Sequence, residues 1–176
     1  MKRIPKPAAG EFPPYASMYI DLLPDDGRVL EHLEANLAAT EELVAPLPEE
    51  MLLRRYAEGK WSIKEVLVHV IDDERIYAYR ALRFARGDAT PLPGFEQDDY
   101  ALRSGADGRE IGSIMAEYAA VRRATLALFD GLEDAALTRA GVANGNHVSV
   151  RALAYHIAGH ELHHVNLLRD RYLRNP

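Results

Sequence analysis

Trp61-Ser62-Ile63-Lys64-Glu65-Val66-Leu67-Val68-His69-Val70 opens the segment whose reading decides the fold. Ser62 is followed three residues later by Glu65, the spacing of a capping box. The serine hydroxyl and the glutamate carboxylate can then satisfy backbone N–H groups that a helix leaves open at its start. From that cap, Ile63, Val66, Leu67, Val70, Tyr77, Ala78 and Ala81 recur at helical spacing, and Gly87 supplies a stop. A helix over about 62–86 is predicted.

Three further segments carry the same period. Leu30, Leu33, Leu37 and Val44 mark a helix over about 25–44, ended by Pro46 and Pro48. Ile111, Ile114, Met115, Tyr118, Val121, Thr125 and Phe129 mark a third over about 109–132. Val150, Leu153, Ala154, Ile157, Val165, Leu168 and Tyr172 mark a fourth over about 149–173, with Ser149 as its N-cap. Almost nothing between them alternates like a strand. The stretch Asp88 to Asp107, with Pro91, Pro93, Gly94 and Gly105, is too long for a tight turn and reads as a crossover. A polar loop with Asn144, Gly145 and Asn146 is expected before the last helix. The expected fold is therefore all-α. It is a four-helix bundle in a single domain over 1–176, with a long connection between helices 2 and 3 and an extended N-terminal arm over 1–24.

Composition narrows the functional classes. The 27 acidic and 21 basic residues give a formal charge of −6, and no run of lysine or arginine could follow a phosphate backbone, which argues against nucleic acid. No segment offers the ~20 uninterrupted apolar residues needed to span a bilayer. The start of the chain, with Lys2, Arg3 and Lys6 among prolines, lacks the apolar stretch of a signal sequence, so a cytoplasmic protein is expected. Cysteine is absent, leaving histidine and carboxylate as the metal-binding side chains.

Of the seven histidines, His147, His156, His160, His163 and His164 lie in or beside the last helix. Side chains four apart lie about 6 Å from each other, so His156 with His160, or His160 with His164, could converge on one point; His160 with His163 is a further pair. His156, His160 and His164 cannot all bind one ion. Eight residues of helix rise about 12 Å, whereas a Zn–N bond is about 2 Å. A second helix would have to contribute, and His69 flanks the apolar stripe of helix 2. A lone histidine there is as readily a packing residue. The string His160-Glu161-Leu162-His163-His164 also satisfies H-E-x-x-H, in which two histidines hold zinc and the glutamate is a general base, so Glu161 is the candidate catalytic residue.

Glu74, Arg122 and Glu161 fall inside apolar stripes, and a buried carboxylate must find a cation or a polar partner. A structural ion pair or triad with Arg122 is one reading; orientation of an imidazole by Glu74 or Glu161 is another. Asp73 could support His69, supply a fourth ligand or lie on the surface. Tyr77 and Tyr155 are candidates for a pocket wall or for the core.

The joint arrangement is more specific than any part of it. Trp61-Ser62 opens a helix, a histidine follows seven residues after the serine, and H-E-x-H-H lies on the last helix. It resembles the DinB/YfiT-like superfamily of metalloenzymes, over most of the chain from the first helix to Leu173. The resemblance implies a four-helix bundle with a long crossover and a metal site of three histidines, carried here by His69, His160 and His164. His156 and His163 become supporting residues. It further implies a divalent ion, nickel or zinc, and a small-molecule substrate. Two activities go with the family: hydrolysis, and transfer to or from a low-molecular-weight thiol such as bacillithiol or mycothiol. Absence of cysteine fits the second, since the sulfur would arrive with the cosubstrate. A non-catalytic metal-binding bundle and a purely structural dimerising bundle are the alternatives, and a homodimer through helix packing is expected of many relatives.

Overall fold

The computed structural model describes residues 1–174. Its helices are α1 (Ser17–Ile20), α2 (Val29–Val44), α3 (Glu49–Leu52), α4 (Ile63–Ala85), α5 (Gln97–Arg103), α6 (Ile111–Asp130), α7 (Asp134–Leu137) and α8 (Val150–Leu167). A π-helical turn, Leu168–Leu173, extends α8, and a hairpin of β1 (Ala140–Ala143) and β2 (Asn146–Ser149) precedes it. None of the described helices is long and apolar enough to cross a membrane.

The predicted caps are present. Glu65 N donates to Ser62 Oγ at 3.0 Å and Ser62 N donates to Glu65 Oε2 at 2.8 Å, closing the box at the start of α4. Ser62 Oγ in turn donates to Asp107 Oδ1 at 2.5 Å, which pins the far end of the crossover to this helix start. At the other end Gly87, with φ +78°, lets its own N–H reach Phe84 O and that of Asp88 reach Arg83 O, the paired closure that favours glycine past a helix end.

Helices α2, α4, α6 and α8 form the bundle. Both α4 and α2 pack against α6 and α8, so α2 and α4 face each other across one diagonal and α6 and α8 across the other. The apolar core is split in two. One cluster holds Leu33, Ala81, Phe129 and Ile157; the other holds Val44, Val70, Tyr118 and Leu168. The layer between is charged: Arg122 Nη2 lies 2.9 Å from both Glu74 Oε2 and Glu161 Oε2, and Nη1 donates to the Leu33 carbonyl. One guanidinium on α6 thus touches each of the other three bundle helices. Tyr118 donates its hydroxyl to the other oxygen of Glu161. The expected reach of Arg122 to Glu74 or Glu161 is met by both.

Four differences from the sequence reading stand out. The loop before α8 is a hairpin, in which Asn144 and Gly145 take φ of 49° and 72°, the left-handed pair of a two-residue turn between antiparallel strands. The crossover is not structureless. It contains α5 and a 3-10 turn at Ala106–Gly108, and Leu92 bridges to Ala143 of the hairpin. Within the arm expected to be extended, Pro14–Ile20 is helical, too short to show a period in sequence. Helix α2 begins at Val29 and not near Asp25, because Gly27 has φ +70° and Asp26 Oδ1 holds Arg28 N at 2.8 Å in a turn.

Candidate metal centre

Helix α4 presents His69 and α8 presents His160 and His164, the last two a helical turn apart. His160 Nε2 lies 3.1 Å from the Nε2 of His69 and 3.1 Å from that of His164, and one nitrogen from each of the three falls within 4.8 Å of the others. His69 and His160 are buried, His164 partly so. Burial depresses all three pKa values, that of His160 to about 3 despite the opposing pull of Asp73, so the rings are neutral near pH 7. Three neutral imidazoles with facing Nε2 atoms cannot all satisfy one another by hydrogen bonds. A cation accepts a lone pair from each, so the donor set fits one divalent ion.

Asp73 reaches different partners from the one anticipated. Its Oδ2 lies 3.4 Å from His160 Nδ1 and 3.6 Å from His156 Nε2, longer than a good hydrogen bond. Burial would raise its pKa, but the two facing imidazoles outweigh that and hold it below the usual carboxylate range. His156 stacks on Tyr77 with ring centroids 3.8 Å apart, and Tyr19 sets its ring edge against His156, His160 and His163. His156 and His163 therefore surround the cluster without joining it. Glu161 is turned into the charged layer, with both oxygens taken by Tyr118 and Arg122. Tyr155 is a core residue whose hydroxyl donates to Ile4 O at 3.0 Å.

Two clefts approach the cluster. The larger, of about 660 Å³, reaches it at His164 and is walled by Trp61, Tyr56, Tyr172 and Leu167. Trp61 lies 4.7 Å from the His69 ring and is stacked at 6.5 Å from that of His164. The smaller, of about 330 Å³, reaches it at His160 and includes Asp73, Tyr77, Arg80 and His156.

The model of the DinB superfamily matches residues 32–168, the stretch that holds all three histidines. The chain belongs to the DinB superfamily. Among similar proteins, OB0413 of Oceanobacillus iheyensis, named as a candidate metal-dependent hydrolase, is 35% identical over 75 residues. That match spans 42% of this chain and 43% of the relative, less than half of either. YfiT from Bacillus subtilis, described as a probable metal-dependent hydrolase with an unusual four-helix bundle topology, superposes with a TM-score of 0.71. It covers 94% of this chain and 93% of its own at 16% identity, a likeness of fold.

Two features of this DinB protein's centre were missed by sequence reasoning. Tyr19 lies in a helix of four residues and carries no periodic signal. The crossover borders both clefts through neighbouring residues, Gln97 on the smaller and Asp98 on the larger, a placement that only the folded connection shows.

Proposed function

We propose that this DinB protein is a metal-dependent enzyme acting on a small molecule, with His69, His160 and His164 as ligands of one divalent ion, nickel or zinc. The observation that carries the reading is the meeting of three imidazole Nε2 atoms from two helices. Three protein ligands leave coordination open for water or substrate, and an ion held this way acts as a Lewis acid and lowers the pKa of bound water.

The chain's own residues have separable tasks. The aromatic walls of the larger cleft, Trp61 above all, bind an apolar portion of substrate and exclude water beside His164. Asp73 orients His160 through its Nδ1 side, so that Nε2 faces the cluster. For Glu161 the sequence suggested a general base. Its two occupied oxygens favour a structural task in the charged layer, and Glu161→Gln separates the two. A base would lose turnover with metal content and stability intact; a structural residue would lose stability first.

Hydrolysis is the leading reaction, because both relatives are named for it. Transfer involving a low-molecular-weight thiol is the second reading, favoured by a chain without cysteine. A non-catalytic metal carrier or a structural bundle would show no turnover. Self-association has a candidate surface in the exposed Tyr79 and Leu82 beside Leu128, and a cytoplasmic location goes with the same reading. The deciding experiment is metal analysis of protein purified without a histidine tag, followed by a hydrolase panel and a thiol-conjugation panel on the loaded protein. Near-stoichiometric metal with turnover in one panel supports the proposal. Absence of bound metal in wild type, even after reconstitution, rejects it.

A further inference from the structure

The smaller cleft holds an imbalance that the three-histidine centre resolves only in part, through the long approach of His160 Nδ1 to Asp73. Asp73 Oδ2 and His156 Nε2 are buried, belong to residues that line it, and make no hydrogen bond of good length: they lie 3.6 Å from each other, and His160 Nδ1 lies 3.4 Å from the same oxygen. They come from neighbouring helices, and each residue is 5% exposed or less. A carboxylate only accepts hydrogen bonds, so whatever completes Asp73 must bring a donor. Leaving such a group buried and unpaired is costly.

Arg80 faces the same cleft from two turns further along α4, and is itself 4% exposed. Its Nη2 donates to Pro93 O at 2.9 Å, and its guanidinium lies 4.8 Å over the Tyr77 ring. Five N–H donors in a planar fork leave several for a carboxylate. Arg80 and Asp73 make no ion pair with each other among the described residues. Seven residues of helix separate their backbones by about 10.5 Å, and the Arg80 guanidinium lies over the ring of Tyr77, which stands between them in sequence. An anion-acceptor and a cation-acceptor thus sit at two ends of one small chamber walled by Tyr15, Tyr19 and Tyr77.

We propose that this cleft is a second ligand subsite for a small zwitterion, an α-amino acid or a molecule ending in one, with its ammonium group on Asp73 and its carboxylate on Arg80. A volume of about 330 Å³ accommodates such a group. A simple amine would complete Asp73 alone, and a simple carboxylate Arg80 alone. The subsite goes beyond the proposed metal function and does not depend on the ion.

The test is titration of the full-length protein, metal-loaded and after chelation, with glycine, methylammonium, acetate and betaine, followed by NMR shifts of the His156 and Tyr77 rings. Glycine saturates at a concentration on the order of millimolar in both forms, and the other three bind at least about 10-fold more weakly. Betaine is included because it keeps both charges but has no N–H to give Asp73. Equal binding of all four, binding of acetate alone, or no saturation by glycine overturns the proposal and leaves the cleft to water. Glycine binding confined to the loaded form also overturns it, since that marks chelation by the ion. Arg80→Gln and Asp73→Asn should each abolish the glycine response. Because both residues are buried, Tyr15→Trp at the exposed rim serves as a second variant. It narrows the entrance and should weaken glycine; unchanged glycine affinity there counts against the assignment.

Discussion

The carbonyl of Tyr19 occupies the space that a side chain at Gly159 would need: a Cβ built at 159 would come within 2.2 Å of Tyr19 O. Gly159 sits mid-helix in α8, one residue before His160, and its missing side chain lets α1 lie directly on the histidine-bearing helix. Glycine to alanine inside a helix ordinarily stabilises by up to about 1 kcal/mol. Overpacking against backbone costs about 1–3 kcal/mol, and with backbone on the other side it wins. Gly159→Ala is expected to lower unfolding free energy in a denaturant titration and to displace Tyr19 from the three rings it edges. A stabilised variant would show that α1 yields easily.

Removal of Arg122 leaves two carboxylates, Glu74 and Glu161, buried without their cation. Arg122→Ala is expected to cost about 3–5 kcal/mol, read from chemical denaturation. Replacing all three residues by apolar ones of similar volume should recover much of that loss, because no uncompensated charge remains. If the triple variant is as unstable as the single one, the charged layer contributes more than charge balance.

Metal content separates ligands from neighbours. His69→Ala, His160→Ala and His164→Ala should each reduce metal bound per chain severely, whereas His156→Ala should leave most of it. Asp73→Asn belongs between them, with an affinity loss of about 10–100-fold, the range typical of partners that orient a ligand. Equal losses for His156→Ala and His160→Ala, in metal analysis of folded protein, would contradict the ligand assignment.

Glu11 reports the attachment of the N-terminal arm. Arg151 donates two hydrogen bonds to its carboxylate, and Ser149 Oγ adds a third at 2.8 Å. Chiefly through the arginine hydrogen bond, its pKa falls from 4.5 to about 2. A carboxylate depressed in the folded state stabilises above its unfolded pKa and loses that contribution as pH falls toward the folded value. Wild type should therefore exceed Glu11→Gln in melting temperature by a constant margin above about pH 5, and the margin should shrink between about pH 4.5 and pH 2. A margin that grows on acidification would reverse the sign.

The bundle was legible where local chemistry repeats. Ser62 and Glu65 cap α4 as their spacing demands, and the period of Ile63 to Ala81 carries the helix as far as Gly87. The charged residues inside three stripes also announced a buried layer, although sequence could not say that Arg122 would meet both carboxylates and the Leu33 carbonyl. Asn144-Gly145 is a hairpin signal, but the flanking strands are four residues each, too short for a clear alternation. At the centre, helical spacing limited the ions that His156, His160 and His164 could share, but left His69 undecided between packing and ligation. Only the adjacency of α4 and α8 brings it within 3.1 Å of His160. Asp73 shows the same limit. Its position four residues after His69 suggested that neighbour, and tertiary packing gave it His160 and His156.

The diagonal placement of α2 against α4, and of α6 against α8, bears on how the chain reaches this shape. Two of the three successive helix pairs cannot zip together as hairpins, so most burial waits for loops to close over long stretches, which slows folding. The pair α4 and α6 is the one consecutive couple that can dock early, with α2 and α8 arriving afterwards on its flanks. The guanidinium at the middle would then acquire its last carboxylate only when α8 docks, and so would His69 its two companions. A stopped-flow experiment following Trp61 fluorescence should accordingly see its environment settle in the final phase.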